Sequence, residues 1–120
     1  MSTIDVANLT DGTDTVATGY VINGSAKAWV NFNGSGTVAI RDSLNVGSIT
    51  DSGTGVYVIN FTNNFSNVNY SATVGSAAGG VTYYPPSDYT ASSVKQVTKG
   101  SSNTVFDSEI VGLKAHGELA

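Results

Sequence analysis

Residues 51–61 read DSGTGVYVINF and contain the clearest β-strand signal in the chain. From Val56 to Phe61, aromatic and β-branched residues follow a period of two, which places successive side chains on opposite faces of a strand. The preceding segment carries Gly53 and Gly55, and glycine readily adopts the positive φ that tight hairpin loops require. This stretch therefore predicts a hairpin loop followed by a half-buried strand.

Similar signals occur on both sides of this hairpin. Residues 26–32 read AKAWVNF and alternate in the same way, and the turn NGSG follows at 33–36. Further strands are predicted at these segments: 38–40, 70–74, 81–84, 94–98 and 110–119. No window of 11 or more residues has helical periodicity. About seven short strands with turn signals between them predict an all-β fold, a single antiparallel β-sandwich of jelly-roll-like type, over residues 25–120.

Residues 1–24 differ from the rest of the chain because they are polar and weakly patterned. Their few apolar residues are scattered among Thr and Asp and form a candidate assembly arm: Ile4, Val6, Leu9, Val16 and Val21. A segment with so little apolar surface cannot offset the entropy cost of ordering itself. The sequence thus predicts an extended N-terminal arm over 1–24 that serves assembly or anchoring and needs a partner surface.

The composition excludes several classes of function. The 120-residue chain has five Lys and Arg against nine Asp and Glu, so it lacks the basic surface that nucleic-acid binding requires. It has no cysteine for a disulfide or thiolate metal site. No apolar run approaches the roughly 18 residues of a membrane span, and the N-terminus has no signal-peptide pattern. We expect a domain without nucleic-acid partners or membrane insertion.

The residues that catalysis would need are sparse. His116 is the only histidine, and no Gly-x-Ser-x-Gly segment precedes it. Two carboxylate pairs, Asp11 with Asp14 and Asp107 with Glu109, lie in polar stretches where acids ordinarily face water. We predict no catalytic residues, no metal ligands and no cofactor, and therefore a non-enzymatic protein.

Aromatic residues provide the candidate binding surfaces. The segment 83–89 carries a candidate receptor or partner surface: Tyr83, Tyr84, Pro85, Pro86 and Tyr89. Tyrosine combines an apolar face with a hydroxyl, which suits contacts with sugars or proteins. In an alternative interpretation, the tyrosines cap the end of the sandwich and the prolines stiffen a loop. Trp29 and Phe32, on opposite faces of one strand, are candidates for the core or for a subunit contact.

The sequence resembles a known family at three places. Residues 23–43 read NGSAKAWVNFNGSGTVAIRDS, and 45–61 read NVGSITDSGTGVYVINF. The chain ends with LKAHGELA at 113–120. These segments resemble tail-fibre-like virion structural proteins of marine tailed bacteriophages, including phages of cyanobacteria. Residues 75–105 are the most individual part of the chain.

The resemblance implies a bacteriophage virion structural protein, made in the host cytoplasm and carried on the virion. It implies a tail-fibre or appendage subunit, a homotrimer that contacts other capsid or tail proteins and a host surface glycan. Family members often end a longer fibre, whereas this chain has no shaft segment before its sandwich. A capsid decoration protein or head fibre is therefore an alternative, and a free carbohydrate-binding module is a more distant one.

Overall fold

The computed structural model describes residues 1–77, 81–83 and 88–120, with the backbone alone for 81–83. The described residues form ten strands and one short helix. In chain order they are β1 (Asn8–Thr10), β2 (Thr15–Ala17), α1 (Thr18–Gly24), β3 (Ala28–Asn33), β4 (Ala39–Leu44), β5 (Val46–Gly53), β6 (Val56–Phe61), β7 (Ser71–Ser76), β8 (Val81–Tyr83), β9 (Ser93–Lys99) and β10 (Val111–His116). The predicted all-β class is confirmed.

Two four-stranded antiparallel sheets pack face to face. Sheet I has the strand order β4-β3-β10-β7, and sheet II has the order β5-β6-β9-β8. β1 and β2 form a separate two-stranded hairpin. The predicted antiparallel β-sandwich is confirmed, but this strand order does not establish the jelly-roll detail.

The core lies between the sheets and follows the period-two pattern of the sequence. β3 and β10 of sheet I bury their alternate residues, and so does β6 of sheet II; these inward residues are Ala28, Val30, Phe32, Val111, Leu113, Ala115, Tyr57, Ile59 and Phe61. Their neighbours along each strand are half-buried or exposed. Alternation in the sequence thus corresponds to the inner and outer faces of the sandwich.

The chain passes from sheet I to sheet II at Asn45, which joins β4 directly to β5. Asn45 has φ of 56°, in the left-handed region that asparagine tolerates better than most residues. Its side chain accepts a hydrogen bond from the Asn63 backbone N–H at 2.7 Å and donates to the Asn63 carbonyl at 3.0 Å. These bonds fasten the sheet crossing to the loop that follows β6.

An aromatic cluster closes the end of the sandwich where β6 finishes. The Tyr70 ring stacks on Phe65 and on Tyr89 at centroid distances of 4.2 and 4.3 Å. The Tyr70 hydroxyl donates to the Thr90 carbonyl at 2.9 Å. The cluster therefore fixes the segment before β9 against the core.

Candidate functional site

The N-terminal residues stand apart from the sandwich and bury little of their own apolar surface. The molecule measures 51 × 28 × 25 Å and has a radius of gyration of 16.6 Å. A compact chain of this length would have a radius of about 14 Å. Its accessible surface of 7087 Å² likewise exceeds the roughly 6,100 Å² expected for its mass. These values describe an elongated molecule, and the arm elements pack chiefly against each other and not against the sandwich.

The arm is more structured than the predicted extended segment, because it contains the β1–β2 hairpin and α1. At the hairpin turn, Asp11 Oδ1 accepts hydrogen bonds from the backbone N–H groups of Thr13 and Asp14 at 2.9 and 2.8 Å. These N–H groups, Asp14 first, hold the pKa of Asp11 below its ordinary value. Thr18 then closes the base of the hairpin by donating from its hydroxyl to the Val6 carbonyl at 2.9 Å.

Helix α1 has little intrinsic stability. It is seven residues long, no side chain caps its N-terminus, and it contains no buried residue. Glycine and β-branched residues within it also have low helix propensity. Lys27 Nζ donates to the Ile22 carbonyl and, at 2.9 Å, to the Ser25 carbonyl, which stabilises the helix end. Helices this short are marginal unless an apolar face packs on another surface.

All five residues predicted to form the assembly arm are exposed in the single chain. Leu9 and Val16 face each other across the hairpin and are 44% and 39% exposed. The exposed apolar residues of the arm also include several that lie outside the prediction: Met1, Tyr20 and Ile22. No pattern in the sequence distinguishes these three residues. Together these residues, from Met1 to Ile22, form what we call the arm surface.

The structure separates the two candidates on β3. Phe32 is fully buried and lies edge-to-face with Tyr57 at 5.1 Å, so it belongs to the core. Trp29 is not a core residue, because it is half-buried on the outer face of sheet I. There it borders a shallow groove of about 610 Å³.

The predicted receptor surface lies mostly outside the residues that the structure describes. Tyr84, Pro85 and Pro86 lie outside the described residues, and only the backbone of Tyr83 is described, at the end of β8. Tyr89 is half-buried, stacks on Tyr70, and donates from its hydroxyl to the Tyr70 carbonyl at 3.0 Å. In this arrangement Tyr89 supports the aromatic cluster.

Two of the four carboxylates considered for catalysis, Asp11 and Asp107, form structural contacts. Asp107 accepts a hydrogen bond from the Gly55 N–H at 2.7 Å, and its carboxylate lies 3.1 Å from the Tyr57 hydroxyl, whose single proton it shares with the nearer Gly34 carbonyl. Asp11 accepts the backbone hydrogen bonds that stabilise the hairpin turn. His116 is exposed at the end of β10. Among the described residues, no group of three or more His, Asp or Glu is arranged to hold a metal ion. The one helix of the described chain is too short to cross a bilayer.

Comparisons of the chain with protein-family models, with curated proteins and with solved structures found no match. The fold itself defines the class, which is a small antiparallel β-sandwich preceded by an N-terminal arm that exposes apolar side chains.

Proposed function

We propose that this chain is a structural subunit of a bacteriophage particle, of the tail-fibre or appendage type, that assembles as a homotrimer through its N-terminal arm. The observation that carries the proposal is the arm surface, whose apolar side chains remain exposed in the described part of the chain. Exposed apolar residues of this kind, concentrated in one projecting segment, are typical of surfaces that are buried on association.

The energetics of the arm favour assembly over an independent function. Ordering a hairpin and a short helix costs conformational entropy, and the arm's own chain supplies few apolar contacts to offset that cost. A neighbouring subunit would supply them, so that folding of the arm and association would be linked. In a symmetric oligomer, every arm buries its apolar residues against an equivalent neighbouring subunit.

The resemblance at residues 23–43, 45–61 and 113–120 supplies the setting, a virion of a tailed phage. The sandwich suits it, because the described side chains on its surface are mostly short and polar. Host-surface contact by residues 83–89, with glycan as the partner, remains part of this proposal. A capsid decoration or head-fibre protein would use the same arm against a capsid protein.

Labelling of intact particles tests the proposal. An antibody against the sandwich, coupled to gold, is applied to purified particles of the phage that encodes the chain and viewed by electron microscopy. We expect label on tails or appendages, and label on heads would select the decoration alternative. Particles that carry neither label nor the protein by mass spectrometry would overturn the virion proposal.

A further inference from the structure

The outer face of sheet I carries a groove whose floor lacks side chains. In register across the sheet, Asn31 lies beside Gly112, and Gly112 lies beside Gly75. Two adjacent glycines on the outward face leave a depression between β10 and β7. Trp29, Lys114 and Thr73 are neighbours across the three strands and form one side of the groove. Ile110 lines the opposite side, just before β10. The groove is therefore partly apolar.

The residues around this groove are more basic than the rest of the molecule. Lys114 lines it, and Arg41 lies beside it, donating to the Asn31 side chain at 3.4 Å. One carboxylate, that of Asp42, is opposite Asn31 in the register. Two of the five cationic side chains of the chain thus border this outer face.

The arm has the complementary character. Residues 1–24 contain three aspartates and neither Lys nor Arg. In the hairpin, the apolar pair Leu9 and Val16 lies next to the turn that carries Asp11 and Asp14. One element thus presents apolar side chains for Trp29 and Ile110 together with carboxylates for Lys114 and Arg41.

We infer that the groove on sheet I receives the β1–β2 hairpin of a neighbouring copy of this chain. The inference rests on the proposed function and adds the surface that the arm occupies. Apolar burial supplies the attraction, and the charges set the orientation and the salt dependence. In a closed trimer each subunit would donate one hairpin and accept one.

Cross-linking between copies tests the inference directly, because the native chain has no cysteine. One variant carries Val16→Cys and a second carries Gly75→Cys. A side chain at Gly75 meets no atom within 4 Å, so the fold accommodates it. The mixed variants are treated with a short bis-maleimide, and the heterodimer is quantified by mass spectrometry. In the matched control, the Val16→Cys variant is mixed with a Ser52→Cys variant, whose cysteine lies at an exposed position of sheet II.

We expect at least a tenfold higher yield of the Val16–Gly75 heterodimer than of the Val16–Ser52 heterodimer. We also expect Gly75→Leu, which fills the groove, to raise the dissociation constant at least tenfold. Equal yields from the two mixtures, in a chain that still sediments as an oligomer, would overturn the groove inference and leave the proposed function standing. A chain that stays monomeric in the same samples would overturn both.

Discussion

The Tyr57 hydroxyl donates a hydrogen bond to the Gly34 carbonyl at 2.8 Å, and a Cβ at Gly34 would lie 2.5 Å from that same hydroxyl oxygen. The two residues are far apart in sequence, one in β6 and one in the loop after β3. Their contact joins the two sheets at the end of the sandwich opposite the aromatic cluster. Close approach therefore explains why glycine occupies position 34.

Gly34→Ala should destabilise the sandwich. The new methyl group would displace Tyr57 or the backbone at Ser108, whose carbonyl would be 2.9 Å away. Overpacking of this kind costs about 1–3 kcal/mol. Urea denaturation measures the free energy of unfolding, and Gly100→Ala, whose new Cβ would have no neighbour closer than 3.7 Å, is the matched control that we expect to be near neutral. Equal stability of the two variants would contradict the close approach.

Tyr57→Phe should lower the free energy of unfolding by about 1–3 kcal/mol, because the buried Gly34 carbonyl loses its donor. Tyr20→Phe, at a side chain that is 77% exposed, serves as the control with little expected change. The same site predicts a pH effect. Burial, followed by the hydrogen bond with Asp107, raises the pKa of Tyr57 above 10.0.

The unfolded chain releases the Tyr57 proton more readily than the folded chain does. The stabilising contribution is therefore complete below pH 10.0 and declines as the pH rises beyond it. Burial acts in the same direction on the pKa of Tyr70. Denaturation curves at neutral and strongly alkaline pH should show this loss, and Tyr57→Phe should reduce it. A loss of the same size in the variant would assign the effect to other groups.

Asp11 should titrate below its ordinary pKa of 3.8, because two backbone N–H groups favour its charged form. Its contribution to the hairpin turn is present above pH 3.8 and is lost as the pH falls through the lowered pKa. Titration of the Asp11 carboxyl by NMR measures this midpoint. Asp11→Asn keeps an acceptor oxygen and should retain the turn, whereas Asp11→Ala should not. A midpoint at or above 3.8 would contradict the bonding geometry.

Thr98→Val should stabilise the protein by about 1 kcal/mol. The Thr98 side chain is fully buried, and its hydroxyl is without a hydrogen-bond partner in the described structure. A buried polar group of this kind costs free energy that an apolar group of the same shape avoids. Ser108→Ala should instead lower the free energy of unfolding, because the buried Ser108 hydroxyl donates a hydrogen bond to the Ile110 carbonyl at 3.0 Å. Destabilisation by both substitutions would show that Thr98 has a partner.

Local alternation in the sequence predicted the strands well. Phe32, Ile59 and Leu113 are buried where the period of two places them, because a strand with one covered face requires that pattern. The pairing of β10 between β3 and β7 did not follow from the sequence, since alternation carries no information about neighbours. Helix α1 is too short to produce a periodicity, and its residues favour no particular structure.

The candidate site was predictable only in part. Scattered apolar residues in a polar segment indicated an arm, because such a segment cannot stabilise itself. The groove was not predictable, since it depends on Gly75 and Gly112 becoming neighbours across two strands. Asp107 was considered as a catalytic acid, yet its partner Tyr57 lies 50 residues away and no local pattern indicates that contact.

The central claim is that the arm surface assembles the chain. Sedimentation equilibrium on the full chain at micromolar concentration should give three times the 12.3 kDa mass. Replacing Leu9 and Val16 by Asp should shift that mass toward the monomer, whereas Val68→Asp, at an exposed loop residue of the sandwich, should not. Circular dichroism should show intact β-structure in both variants. A native chain that remains a 12.3 kDa monomer across this range would contradict the account.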